Sequence, residues 1–331
     1  MNCKHFKYII VAPSYDENNG GCVVLHKLCD LLNSQGEKAV LCPMIDNDYF
    51  LDSNNIVKSI LRRSIHLKST LQRFHLLFDL CRKMKTNKKW NTPVTNPFSL
   101  FFNISLSDSI VVYPEILSGN ILHAKHVVRY LMHNPGNFTH KIDYGEGELY
   151  FRYSDSFARE YVPPKNSVIS PHYLKISTTP ECYNMNNVAV NRKGTAYMIR
   201  KGKNKKIVHD LNNSILLDGL SHEEIATVFK SVKSFISYDS ITAYTNYALL
   251  CGCKSIVVLG ENEKAETYRP NEEARRYILF GINDKKKVNQ DEARLWAEKL
   301  RNNQDKISKE STQMFVKESQ IFFNKHLLYY K

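Results

Sequence analysis

Apolar and polar positions alternate in blocks along this chain, and the blocks read as strands and helices in turn. Tyr8-Ile9-Ile10-Val11-Ala12 is an unbroken apolar run, the pattern of a strand covered on both faces. Residues 13–21 are turn chemistry ending in Gly20-Gly21. Val24, Leu25, Leu28, Leu31 and Leu32 then recur at helical spacing until Gly36, a helix stop. Residues 38–42 form a second strand, closed by Pro43. Residues 50–100 break the alternation with an imperfect helical stripe set among basic residues. Buried strands resume at 109–113, 127–132 and 167–170, and the polar stretch 171–192 is expected to connect two domains.

The second half restarts the pattern. Strands are predicted at 196–199, 215–217, 234–237 and 255–258. Ser221-His222-Glu223-Glu224 is a capping box, with Leu220 and Ile225 placed as a hydrophobic staple, so a helix starts there. Another helix runs through Tyr247-Ala248-Leu249-Leu250 to Gly252, and the pattern from 291 to 330 is helical. Strands alternating with helices in both halves predict an α/β protein with two parallel-sheet, Rossmann-like domains. The expected division is an N-terminal domain over 1–180, carrying an insert over 50–100, and a C-terminal domain over 190–331 whose last helix returns to the first.

A chain of 331 residues, 43% hydrophobic and 24% charged, is long enough for two cores and excludes disordered or fibrous classes. No run approaches the ~18 apolar residues of a spanning helix, and the opening residues lack signal-peptide architecture. Eight scattered cysteines without paired Cys-x-x-Cys knuckles point to a reducing, cytoplasmic setting. The 46 basic and 33 acidic residues leave a formal charge of +13, which calls for an anionic partner. Much of it is local. Lys58, Arg62, Arg63, Lys68, Arg73, Arg82, Lys83, Lys85, Lys88 and Lys89 face a single acid, Asp79. Contact with an anionic membrane surface, binding of an anionic acceptor, and a solvated helical subdomain are the open readings of this segment. Nucleic acid is not expected, because the cations are interleaved with aliphatic rather than aromatic residues. No metal is expected, for want of clustered carboxylates or a His-x-x-x-His spacing.

Chemistry is expected in the loops after the strands, and 13–21, 200–206 and 238–245 are the loaded ones. The first is neither Gly-x-Gly-x-x-Gly nor a Walker loop. Arg200, Lys201 and Lys203 are suited to charge on a departing nucleoside phosphate, or to being a solvated turn. A helix opening near Ser240 or Thr242 would offer free N–H groups to a phosphate, with Asp239 as donor contact or N-cap. Asp16, directly after the first strand, is the best-placed acceptor-side base. His133 and Glu146 are the next candidates, followed by Glu17 and Asp143.

The run Arg200-Lys201-Gly202-Lys203, then Leu217-Asp218-Gly219-Leu220-Ser221-His222-Glu223-Glu224, then Tyr238-Asp239-Ser240 to Cys251-Gly252-Cys253 resembles the C-terminal half of GT-B-fold glycosyltransferases. Tyr113-Pro114-Glu115 and the stretch Val127 to Gly136 resemble bacterial surface-polysaccharide members of that fold. The resemblance implies two Rossmann-like domains facing a central cleft. It also implies a nucleotide-sugar donor held by Gly20, Gly21, Arg200, Lys201, Lys203, Tyr238, Asp239, Ser240 and Thr242, with no metal or other cofactor. The activity it implies is sugar transfer to a surface glycan such as O-antigen, capsule or lipopolysaccharide core. A nucleotide-sugar epimerase or hydrolase and a non-catalytic anion-binding protein are the alternatives. Retaining members carry two Glu residues that align with Asp239 and Tyr247, so the stereochemical course and the ribose contact stay open.

Overall fold

The computed structural model describes residues 4–44, 81–96 and 106–329, with side chains to 325. The chain divides into two compact units, residues 1–177 with 305–331 and residues 178–304. No described helix is long and apolar enough to cross a membrane.

Unit 1 is built on six parallel strands: β1 (Lys7–Ala12), β2 (Ala39–Pro43), β3 (Ser109–Pro114), β4 (His126–Leu131), β5 (Leu149–Arg152) and β6 (Val168–Tyr173), ordered β2-β1-β3-β4-β5-β6. Helix α1 (Gly20–Ser34) follows β1, with Asn19 as N-cap accepting from the Cys22 N–H. The unbroken apolar run of β1 follows from burial on both faces. Tyr8, Ile10 and Ala12 enter a core shared with α1, while Ile9 and Val11 pack with Val111, Tyr113 and Val127 on the opposite face. Period-two alternation therefore decides which core a residue joins, not whether it is buried.

Unit 2 carries five parallel strands: β7 (Thr195–Met198), β8 (Ser214–Leu216), β9 (Ser234–Ser237), β10 (Lys254–Val257) and β11 (Leu279–Phe280), ordered β11-β10-β9-β7-β8. The capping box is present at α2 (His222–Ser231): Ser221 Oγ accepts from the Glu224 N–H, and Glu224 accepts from the Ser221 N–H. Ile225 and Phe229 of α2 join Ala248 and Leu249 of α3 (Tyr244–Leu250) over one face of the sheet. Gly252, at φ +73°, turns the chain from α3 into β10, a left-handed position that suits glycine. Two short helices follow, α4 (Ala265–Tyr268) and α5 (Glu272–Arg276). The last helix, α6 (Gln290–Tyr329), opens in unit 2, where Ala293 and Ala297 enter the core. It closes in unit 1, where Phe315 and Phe323 do.

Strand expectations hold to within about one residue for β1–β4 and β7–β10. β5 and β11 are strands that the pattern did not announce. β6 runs to Tyr173, into the stretch expected to be a connection, because its ladder with β5 resumes beyond a bulge. Residues 45–80, which hold most of the basic segment, lie outside the described residues.

Candidate functional site

Ligands of doubly wound parallel sheets bind outside the carboxyl ends of the strands, where the strand order reverses. In unit 2 the reversal lies between β7 and β9, because β7 pairs with β8 on one side and β9 on the other. The chain leaves β7 into a single 3-10 turn, Arg200–Gly202. Both carboxylate oxygens of Asp218, just after β8, accept backbone donors of that turn, the Ile199 N–H and the Arg200 N–H, each at 2.8 Å. Arg200 adopts φ +40°, a left-handed conformation that costs a side-chain residue about 1–2 kcal/mol, and Asp218 holds it there. The guanidinium stands 5.1 Å from the centre of the Tyr244 ring, within cation–π range. Lys201 and Lys203 are exposed on the same turn.

Gly202 is required by space. A Cβ at this position would stand 2.2 Å from the Tyr238 carbonyl oxygen at the end of β9. Gly202→Ala is expected to push the turn off β9, costing about 1–3 kcal/mol as overpacking does. Urea unfolding of unit 2 would register this as an earlier midpoint, and an unchanged midpoint would contradict the close approach.

On the β9 side, Asp239 is buried and accepts from the Ile241 N–H at 3.2 Å. Burial raises its carboxyl pKa, with Lys201, Arg200 and Lys205 pulling it back. Glu263, in the loop after β10, gathers three loops. Its Oε2 accepts from Lys205 Nζ at 2.6 Å, Ser240 Oγ at 2.6 Å and the Gly260 N–H at 2.8 Å, and its Oε1 accepts from the Tyr268 hydroxyl at 3.0 Å. Burial opposes its charge, yet these donors bring it down to about 2 from an ordinary 4.5. A depressed carboxylate contributes stability that is complete above pH 4.5 and fades as pH falls toward 2. Glu263→Gln is therefore expected to remove part of the acid sensitivity of unit 2 in that window, read from unfolding free energy against pH. An identical slope in the variant would show that the network is not linked to folding. Arg269, lowered to about 10 by burial with Asp239 opposing, donates to Thr245 Oγ1 at 2.8 Å. Lys201, Arg200, Lys205 and Arg269 thus all act electrostatically on one buried acid, Asp239.

One expectation is corrected here. The helix does not open at Ser240 or Thr242; α3 begins at Tyr244, capped by Ala243 without a side-chain hydrogen bond. Glu263 holds Ser240, and Asp239 closes a turn on Ile241, so 239–243 stay a loop. Thr242 Oγ1 accepts from the Tyr244 N–H at 3.3 Å. The Tyr238 hydroxyl accepts from the Val208 N–H at 2.9 Å and meets His209 Nδ1 at 2.7 Å, which ties down the 206–209 loop.

In unit 1 the order reverses between β1 and β3. Asp16 and Glu17 are exposed in the loop after β1, and Asp16 Oδ1 accepts from the Asn18 N–H at 3.0 Å, an Asx turn. Gly20 and Gly21 start α1; a Cβ at Gly20 would meet nothing within 4 Å, while one at Gly21 would touch Asn19 and Met132 at 3.6 and 3.7 Å. His133 is packed between Phe138 and Phe157, each ring centre 4.9 Å away. Asp143 and Glu146 are exposed. Between them and β3 lies a wholly buried Arg129, which donates to Glu148 at 2.7 and 3.0 Å, to the Leu117 carbonyl at 2.7 Å and to the Gly119 carbonyl. Tyr113 and Tyr144 flank the guanidinium at 4.8 and 4.7 Å. Burial works against its charge, and Glu148 keeps its pKa above the ordinary value.

No protein-family model matches the sequence, and no curated protein matches it. Solved structures do. The chain is similar to the glycosyltransferase SnogD from Streptomyces nogalater, with 10% identity and a TM-score of 0.40 over 94% of this chain and 99% of that one. It is similar to MurG of Acinetobacter baumannii, with 12% identity and a TM-score of 0.31 over 95% and 99%. It is also similar to T4 phage BGT, solved with its UDP-glucose substrate, with 9% identity and a TM-score of 0.39 over 96% and 98%.

Asp218, Glu263, Arg269 and the Arg129–Glu148 pair were not singled out from the sequence. Asp218 carries a usable signal, an acid within the first residues after a strand of the alternating pattern; Glu263 stands six residues past β10, behind Glu261, and carries none. Among the described residues no three His, Cys, Asp or Glu side chains gather to hold a metal ion.

Proposed function

We propose that this chain is a GT-B glycosyltransferase that moves a sugar from a nucleoside-diphosphate donor to a growing bacterial surface glycan. The observation that carries the reading is the Arg200 turn at the switch point of the second sheet, held in a left-handed conformation by Asp218. A main chain fixed at some conformational cost, with a cation at its tip, is what stabilisation of a departing diphosphate requires. In this reading Arg200 and Lys201 meet the diphosphate as its bond to the anomeric carbon breaks. Glu263 keeps Lys205 and Ser240 in place beside them. Asp16 takes the proton of the acceptor hydroxyl as the new glycosidic bond forms. Contact of 58–89 with an anionic leaflet rests on ten cations, of which the five at 58–73 lie outside the described residues.

A panel of UDP, GDP, CMP and dTDP read by thermal shift tests the donor half. One nucleotide at about 100 times its Kd should raise the melting temperature by a few degrees. No stabilisation by any of the four would reject the donor reading. Because the charge at the site comes from side chains, turnover is expected to persist in excess EDTA; complete loss restored by magnesium or manganese would place a metal in the reaction.

A further inference from the structure

The described end of the basic segment, 81–90, is bound into the loop where the acceptor-side chemistry was placed. Cys81 and Met84 are buried, Met84 in the core with Tyr8, Ile10 and Leu25. Those two anchors leave Arg82, Lys83 and Lys85 exposed, and Lys88 and Lys89 are exposed beyond them. The Lys85 backbone is hydrogen-bonded in both directions to the loop after β1. The Tyr15 N–H donates to the Lys85 carbonyl at 2.8 Å, and the Lys85 N–H donates to Ser14 Oγ at 3.3 Å. An Asx turn on Asn87 presents Lys88 and Lys89, and Trp90 closes the segment with its ring edge-on to Tyr15 at 5.5 Å. Asn91 then donates its N–H to Asp30 of α1 at 2.9 Å.

Four of these cations, Arg82, Lys85, Lys88 and Lys89, carry the argument. The sequence has no acid between Asp79 and Asp108. Among the described residues, Arg82, Lys85, Lys88 and Lys89 enter no ion pair, and Asp30, the acid that receives Asn91, is already paired with Lys27 at 2.8 Å. A cationic rim pinned by main-chain hydrogen bonds to Ser14 and Tyr15, next to Asp16, is positioned for a negative group on whatever approaches that loop.

We propose that Arg82, Lys85, Lys88 and Lys89 recognise a phosphate or carboxylate of the acceptor, making the acceptor an anionic glycan. The proposal rests on the glycosyltransferase reading for the word acceptor, while the anion site itself does not. The four positions act together as a diffuse field, since exposed pairs are individually weak. Their placement beside the loop decides which acceptors are retained more than it does the chemistry of transfer.

Binding of a fluorescent tetra-galacturonate to the full chain tests it, with maltotetraose as the neutral counterpart. The acidic probe is expected to bind, the neutral one not, and binding should fade in about 0.5 M salt as the Debye length shortens. Changing Arg82, Lys85, Lys88 and Lys89 together to Gln is expected to weaken it at least ~10-fold, with nucleotide thermal shifts unchanged. A control with Lys38, Lys125, Lys165 and Lys309, also exposed, changed to Gln should bind like the wild type. An equal loss in the control reduces the effect to overall charge and overturns the proposal. Nucleotide binding without any acid-probe binding also overturns it, and leaves the donor reading intact. Acid-probe binding that depends on the four cations, with no nucleotide bound, supports the anion site and removes the glycosyltransferase reading. Binding only to phosphatidylglycerol vesicles, and not to the soluble probe, makes the rim a lipid contact and overturns the proposal.

Discussion

Arg129→Leu is expected to lower the stability of unit 1 by about 3–5 kcal/mol, because it strands a buried carboxylate. Glu148, 4% exposed at its side chain, would keep only the Gly145 N–H and the Tyr150 hydroxyl. The Leu117 and Gly119 carbonyls would lose their donors as well. Against a total stability of roughly 5–15 kcal/mol, such a loss removes much of the folded population. The double variant Arg129→Leu with Glu148→Leu is expected to recover a good part of it, since an apolar pair of similar size removes the uncompensated charge. Urea unfolding of the wild type, both single variants and the double variant closes the cycle. A single-variant loss below about 1 kcal/mol would contradict the burial of this pair.

At the proposed donor site, Arg200→Ala should cut turnover at least ~100-fold while leaving the unfolding midpoint nearly unchanged. The side chain is only partly buried, and the backbone of its turn is held by Asp218 whatever residue stands there. Slow hydrolysis of the nucleotide sugar that passes the panel gives a readout independent of the acceptor. Arg200→Lys should rescue little, because the planar guanidinium lies over Tyr244 and an ammonium does not reproduce that contact or the forked donors. Asp218→Ala is expected to fall between Arg200→Ala and the wild type, since the cation survives but its turn is free to leave the left-handed region. Near-normal turnover in Arg200→Ala would take this residue out of the mechanism.

What was legible in the sequence follows from how each feature is encoded. β1, α1 and β2 stand out because strands buried on both faces are continuously apolar and Gly36 marks the helix stop, while the start of α1 at Gly20, capped by Asn19, lay inside the stretch read as turn. The capping box at Ser221 is a local code, and local codes survive into the fold. β5 stayed hidden because it spans four residues, Leu149–Arg152, beside polar Glu148 and with Arg152 breaking the run. α3 starts at Tyr244, two residues past Thr242, because Asp239 and Thr242 take the Ile241 and Tyr244 N–H groups into turns ahead of the helix. Arg200 was legible from its position after a strand, yet the means of fixing it, Asp218 accepting two backbone donors, is a contact between separate loops that no spacing rule contains. Arg129 read as one more residue of an apolar strand, and only the fold shows that it meets Glu148 across nineteen positions.

The path of α6 bears on the order in which the protein can be made. Residues 178–304 form one unit and their own core, while the unit begun at the N-terminus takes Phe315 and Phe323 from the last helix. Gln320 also bonds both polar groups of the Phe6 backbone, its Oε1 accepting from the N–H at 3.0 Å and its Nε2 donating to the carbonyl at 2.8 Å. Domains usually fold in the sequence in which they leave the ribosome. Here the second unit is complete first. The first-made sheet must wait, with its face for Phe315 uncovered, until translation has passed residue 323.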